Sequence, residues 1–215
     1  SVTAEKDQTY VLYNLTQEQL RHTLMPIGDY DKPTVRKIAE EAGLPVAHKR
    51  DSEGVCFIPD GDTGAFLDSE LGSEAPGEGN YVDKDGNILG KHKGITHYTI
   101  GQRKGLGIAF GHRVFVQSLN VPKNEVVLGE NEELFTDSLM ASDLVYMSEE
   151  SFYPEKTYIG KIRYSDPGTP CHVAYDGDFL KVKFEKKVRA VTPGQALVLY
   201  DGDYVAGGGV IYGRC

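Results

Sequence analysis

Chemistry on this chain starts with its thiols. Three cysteines are present, Cys56, Cys171 and Cys215, and none forms a CxxC pair. An odd, small number without paired spacing excludes a disulfide framework and finger-type zinc, so no metal site is expected. It fits a reducing, cytoplasmic compartment. Cys56 stands in Arg50-Asp51-Ser52-Glu53-Gly54-Val55-Cys56-Phe57-Ile58, with His48 and Lys49 just upstream. Nearby cations favour the thiolate, the form that attacks and carries sulfur. Asp51, Ser52 and Gly54 predict an irregular loop, where reactive groups are often placed. The competing reading is an inert thiol packed between Val55 and Phe57. Cys171 alternates with Val173 and Tyr175 and reads as a strand residue, while Cys215 is terminal.

The second chemical feature is charge. The chain carries a net −9, yet Gly86 to Asn124 contains no Asp or Glu. That stretch holds Lys91, Lys93, Arg103, Lys104, Arg113 and Lys123, with His92, His97 and His112. Its six cations leave −15 on the remaining residues. It is either a solvated basic face or a local phosphate-binding surface on an acidic protein. Within it lies Gly101-Gln102-Arg103-Lys104-Gly105-Leu106-Gly107-Ile108-Ala109-Phe110-Gly111. This is neither a Walker A loop nor a dinucleotide fingerprint, because the Gly-Lys-Ser/Thr and third-glycine positions are absent. It is a tight or mobile loop, or backbone that approaches a phosphate with Arg103 and Lys104 adding charge. Asp83-x-Asp85-x-Asn87 mimics the start of a calcium loop, but the glycine is misplaced and Gly94 stands at the twelfth position, so a hairpin turn is the better reading.

These groups need elements to hold them. Thr16 with Gln19 is a capping-box pattern. Asp31-Lys32-Pro33 opens a second helix through Val35, Ile38, Ala39 and Ala42, with Gly43 at its end. Val46 to Lys49 is expected to be extended, and Asp62 to Leu71 helical. After Pro76 the pattern becomes short strands: a hairpin around Asp83–Asn87, then Val114–Val116 and Val126–Leu128 about a Pro122 turn. From Tyr158 onward strands and Asp-Gly turns recur every 8–12 residues, the pattern of an antiparallel barrel. The fold class expected is mostly β with an N-terminal helical segment, a small central β domain and a C-terminal barrel. The longest apolar run, Ala196 to Tyr200, cannot span a bilayer. No signal peptide is evident, and Ser1 at the start suggests a fragment.

Five ordered motifs carry a resemblance across essentially the whole chain. They are Lys6-Asp7-Gln8-Thr9-Tyr10, Arg50 to Ile58, Thr99 to Gly107, Thr192-Pro193-Gly194-Gln195 and Gly207-Gly208-Gly209. Together they closely resemble the bacterial and organellar tRNA-specific 2-thiouridylases. The resemblance implies an enzyme that uses ATP to adenylate O2 of the wobble uridine, at position 34 of tRNA. A cysteine persulfide, loaded by a sulfur-donor protein, then supplies sulfur. Cys56 matches the persulfide cysteine. Lys6, Asp7, Gln8, Arg163, Tyr164 and Gln195 match tRNA-contacting positions, to which the charge pattern adds Arg103 and Lys104. It also implies a division into residues 1–75, the end of a catalytic domain, 76–130, a small β domain, and 131–215, a barrel similar to that of translation factors.

The family's Ser-Gly-Gly-Val-Asp-Ser type ATP loop and second cysteine have no counterpart in this sequence. Arg50 stands where Lys is common, and Ile108-Ala109-Phe110-Gly111 departs from the tighter glycine pattern. The expectation is a C-terminal portion that is active only within a longer enzyme. The rival readings are a stand-alone RNA-binding module without chemistry and a plain interaction domain with a buried Cys56.

Overall fold

The computed structural model describes residues 7–49, 57–58, 61–148 and 150–215. The chain divides into two compact units. One takes Ser1–Asp51, Asp137–Lys187 and Thr192–Cys215, and the other Ser52–Thr136 with Val188–Val191.

The first unit is built on a closed barrel. Its strands are β5 (Phe135–Tyr146), β6 (Tyr158–Lys161), β7 (Thr169–Asp176), β8 (Phe179–Arg189), β9 (Ala196–Asp201) and β10 (Tyr204–Arg214), in the order β10-β5-β8-β7-β6-β9. Closure leaves no unpaired edge. The alternation read at Cys171, Val173 and Tyr175 holds for Cys171 and Val173, which face inside, and breaks at Tyr175, which is exposed like its neighbour Ala174. β9 behaves differently: Leu197, Val198, Leu199 and Tyr200 are all buried. A strand buried on both faces needs a cover outside the barrel. The N-terminal segment supplies it, with Tyr10 packing on Val198 and Tyr200.

The strand read over Tyr158–Tyr164 stops at Lys161, because the buried Asp166 carboxylate accepts the Ile162 and Gly168 N–H groups and turns the chain. β5 was not legible in the sequence. Ser138 and Leu139 are buried in succession and Asp143 has φ 50°, so its alternation is broken.

Helix α1 (Gln17–Arg21) has the Thr16–Gln19 capping box. Helix α2 (Lys32–Glu41) starts on the Asp31 carboxylate, which accepts the Thr34 N–H at 2.9 Å. It ends with Gly43 N–H donating to Glu40 and Leu44 N–H to Ala39, with Gly43 at φ 68°, the Schellman arrangement. Val46–Lys49 is not extended. The Ala47 and Lys49 N–H groups close tight turns on the Leu44 and Val46 carbonyls. No residue of α2 is buried, and Leu24 (88%), Ile27 (61%), Leu44 (50%) and Val46 (58%) stay exposed around it.

The second unit holds a four-stranded sheet of β1 (Gly79–Val82), β2 (Ile88–His92), β3 (Phe115–Asn120) and β4 (Glu125–Gly129), in the order β2-β1-β4-β3. The two expected hairpins are present, and a parallel β1–β4 pair joins them. Asp83 makes the first turn by accepting the Asp85 and Asn87 N–H groups. Tyr81, Val116 and Val126 are fully buried at the sheet's core, with Tyr98, Leu106 and Val114 around them. Helix α3 (Thr63–Leu71) docks on this unit through His97, whose Nε2 lies 2.8 Å from Asp68. Gly64 permits the approach, since a Cβ there would lie 2.1 Å from the His97 ring. No helix among the described residues is long and apolar enough to cross a membrane.

Candidate nucleic-acid interface

The barrel unit brings together positions far apart in sequence. A short 3-10 turn, Thr9–Leu12, begins at Gln8, whose side chain is exposed. Asp7 folds back on this turn: its carboxylate accepts the Thr9 N–H at 3.2 Å and the Thr9 hydroxyl at 2.6 Å. The Thr9 hydroxyl also lies 3.4 Å from the Tyr200 hydroxyl of β9.

Tyr10 is the buried residue of the turn, 8% exposed, and its hydroxyl donates to the Ala196 carbonyl at 2.7 Å. Its ring meets Tyr164 edge-on, with centroids 6.4 Å apart. Burial, then the neighbouring Tyr13, Tyr200 and Asp166, push the Tyr10 hydroxyl up to about 12, so it remains a donor at neutral pH.

Arg163 and Tyr164 sit on the turn that Asp166 shapes, with Tyr164 exposed. Gln195 ends the Thr192–Gln195 turn. Its N–H donates to Thr192, its carbonyl accepts from Ile211, and its side chain is exposed. Asp7, Gln8, Tyr164 and Gln195, which the family resemblance assigns to tRNA contact, are thus tied to one buried tyrosine and one strand. Sequence reasoning passed over Tyr10 and Asp166. The signal for Asp166 was present, since Asp-Pro-Gly is turn chemistry.

In the small-sheet unit all six cations of the acid-free stretch are exposed. Arg103 and Lys104 stand on the loop between residues 98 and 114. Leu106 anchors that loop: its side chain is buried and its carbonyl accepts the Tyr81 hydroxyl at 2.7 Å. Gln102 clasps the loop through the Thr99 N–H and the Lys104 carbonyl. Arg189 holds its start, donating to Gly101 O at 3.3 Å while stacked over Phe115. The loop lines an open groove with Arg103, His112 and Arg113 on its walls.

All three histidines of the stretch have partners. His112 Nε2 lies 3.5 Å from the Glu130 carboxylate, and His97 is paired with Asp68. His92 is 3% exposed, with Nε2 3.2 Å from Asn124 O and Nδ1 accepting the Gly94 N–H at 3.1 Å. Burial holds its pKa below the usual histidine value.

Cys56 and Lys6 lie outside the described residues. Cys171 is fully buried against Gly160, and burial pushes its thiol up to about 12, so it is no nucleophile at neutral pH. Cys215 is exposed.

The described residues also do not fit a triphosphate. Each of the three α-helices starts on its own side-chain cap, Thr16, Asp31 or Asp62. Two of those caps are carboxylates, which repel the anion that a helix N-terminus would otherwise attract. The glycine-rich loop leads into β3 and not into a helix. Among the described residues no group of three or more His, Cys, Asp or Glu could hold a metal ion.

Comparison with known proteins gives three successive domain matches. Residues 1–60 match a "tRNA methyl transferase HUP domain", residues 64–130 a "tRNA methyl transferase PRC-barrel domain" and residues 136–211 an "Aminomethyltransferase beta-barrel domain". Two of the three descriptions name tRNA methyl transferases, and the third names an aminomethyltransferase barrel. Among curated proteins, the tRNA-specific 2-thiouridylase MnmA of Clostridium acetobutylicum is 51% identical over 96% of this chain and 58% of its own length. That of Lachnoclostridium phytofermentans is 51% identical over 98% of this chain and 59% of its own length. That of Clostridioides difficile is 50% identical over 98% and 58%. The chain belongs to the tRNA-specific 2-thiouridylase family and spans a C-terminal portion, a little under three fifths of those relatives' length.

Proposed function

We propose that this chain is the RNA-facing and sulfur-carrying portion of an enzyme that converts the wobble uridine of tRNA to 2-thiouridine. The observation that carries the reading is the convergence of Gln8, Tyr164 and Gln195 on the Tyr10 cluster. These three positions, assigned to tRNA by resemblance, thereby lie beside one cluster of one unit. The exposed apolar side chains around α2 support the view that this region packs against more of a longer enzyme. ATP is bound by that further part, since the helix starts and the glycine-rich loop here do not suit it.

In this reading Cys56 attacks the outer sulfur of a donor persulfide, which forms Cys56–S–SH and releases the donor thiol. The outer sulfur then bonds to C2 of the uridine activated at O2, and AMP leaves with that oxygen. A second thiolate attacks the Cys56 sulfur and breaks the S–S bond, leaving sulfur on the base and a protein disulfide that an external thiol reduces. The buried Cys171 is not that second thiol. The barrel cluster and the basic loop bind tRNA, the loop through phosphates.

The test is thiolation turnover of the full-length enzyme with a persulfide donor. Cys56→Ser is expected to abolish 2-thiouridine formation, with tRNA affinity within about 2-fold of wild type. Cys171→Ser retains turnover. Normal turnover in Cys56→Ser returns Cys56 to an inert packed thiol and removes the catalytic assignment.

A further inference from the structure

We propose that Tyr10 is a positioning residue for tRNA binding, with two separable arms: its hydroxyl sets Gln195 and its ring sets Tyr164. The inference rests on the reading of this surface as the tRNA contact.

The geometry gives each arm its own atoms. The Gln195 carbonyl is held by the Ile211 N–H at 2.8 Å, and the next carbonyl along, that of Ala196, is held by the Tyr10 hydroxyl at 2.7 Å. The two peptides that follow the Gln195 side chain are therefore fixed from opposite partners, strand β10 and the N-terminal turn. The turn's own place depends on Tyr10, since Tyr10 is its buried residue and packs on Val198 and Tyr200. On the other side, the edge of the Tyr10 ring meets Tyr164, half of whose surface faces solvent. An exposed aromatic is a platform on which a base can stack only if its own orientation is set. Tyr10 is the ring contact that sets it. Tyr10 has no access to RNA itself, so any effect on binding acts through these neighbours.

The two arms come apart in substitution. Tyr10→Phe keeps the ring against Tyr164 and removes only the bond to Ala196. Tyr10→Leu removes both. With an unmodified tRNA transcript carrying uridine at the wobble position, binding by the 215-residue chain is measured well below each variant's unfolding temperature. Tyr10→Phe is expected to weaken binding about 5-fold, the weight of one buried hydrogen bond.

In double-mutant cycles Tyr10→Phe is non-additive with Gln195→Ala but additive with Tyr164→Ala, whereas Tyr10→Leu is non-additive with both. Thr9→Val, which cuts the Asp7–Thr9–Tyr200 hydroxyl chain without touching the Tyr10 ring, is expected to weaken binding about 2-fold. It also keeps the turn's contribution measurable if a Tyr10 variant does not fold. A merely structural Tyr10 lowers the unfolding temperature and leaves every cycle additive, which overturns the inference. Wild-type affinity in both Tyr10→Phe and Thr9→Val overturns it as well. Failure of the underlying reading has a different signature: Gln195→Ala and Arg163→Ala themselves leave tRNA binding unchanged, and both proposals fall together.

Discussion

The barrel surface and the basic loop are built by opposite means. On the barrel, exposed Gln8, Tyr164 and Gln195 are held by buried neighbours: the Tyr10 ring, the Tyr10 hydroxyl and the Thr9–Tyr200 contact. The loop between residues 98 and 114 is held mainly by Leu106, Gln102 and Arg189. Glycines 101, 105, 107 and 111, all at positive φ, shape its backbone. Arg103 and Lys104 project from it into solvent. A pre-set surface reads shape, because its side chains lose little freedom on binding. A charged loop reads phosphate, because long-range attraction does not need a fixed rotamer. The difference teaches how a chain of net −9 divides its surface: charge is concentrated where glycines shape the backbone, and side chains are fixed where charge is low.

The sharpest way to break the contrast is by glycine. At Gly208 a Cβ would lie 2.1 Å from the Leu197 carbonyl and 2.8 Å from the Tyr13 ring. The β9–β10 pairing and the N-terminal turn must both shift to admit it. Gly208→Ala is expected to cost roughly 3 kcal/mol or more, among the larger single-site effects. Gly107, at φ 73°, has nothing within 4 Å of its absent Cβ. Gly107→Ala costs only backbone strain, about 1 kcal/mol. Denaturant unfolding of the two variants checks this. Equal losses would mean that the loop is packed as tightly as the barrel surface.

The next effect is on binding. Arg103→Glu with Lys104→Glu is expected to weaken tRNA binding at least about 10-fold and to flatten its dependence on log salt by about two phosphates' worth. Gln195→Ala is expected to weaken binding several-fold with the salt slope unchanged. Titrations at three salt concentrations separate the two. A double reversal that leaves the slope intact would make the basic stretch a solvated face and leave the barrel surface as the whole interface.

The same contrast decides what could be read from the residues. Local chemistry was legible: the caps at Thr16, Asp31 and Asp62, the Gly43 helix end and the Asp83 turn all arise from side chains within a few residues of the groups they satisfy. Pairing over distance was not. The parallel β1–β4 contact joins residues 80 and 125, and nothing near either one encodes it. β5 hid because its buried positions do not alternate. On the barrel surface the resemblance marked residues that face outward, but Tyr10 is defined by a partner 186 positions away. The charge run takes in Arg103 and Lys104, which are exposed, and also His92 and His97, whose burial and pairing depend on Asn124 and Asp68.

His92 supplies the smallest expected effect, a pH dependence confined to the small-sheet unit. Its Nδ1 accepts the Gly94 N–H and its Nε2 donates to Asn124 O, a pattern open only to the neutral ring. Protonation would set two N–H groups against each other. Burial therefore holds the folded pKa below the unfolded value of about 6.5. The unfolded chain takes up a proton first as pH falls. Stability is full above about 6.5 and declines as pH drops from there through the folded value. Asp62, Asp68 and Asp83 are held below the usual carboxylate range by hydrogen bonds, so their own losses begin at much lower pH. Thermal unfolding at pH 7.5 and 5.5 brackets the histidine alone among these groups. The small-sheet unit is expected to lose a few degrees, on the scale of ~4–8 °C per kcal/mol for a domain of this size. In His92→Gln, which starts lower at pH 7.5 because the Gly94 and Asn124 bonds are weakened, the difference between the two pH values shrinks. A wild-type difference that survives intact in His92→Gln would place the titrating group elsewhere in the unit.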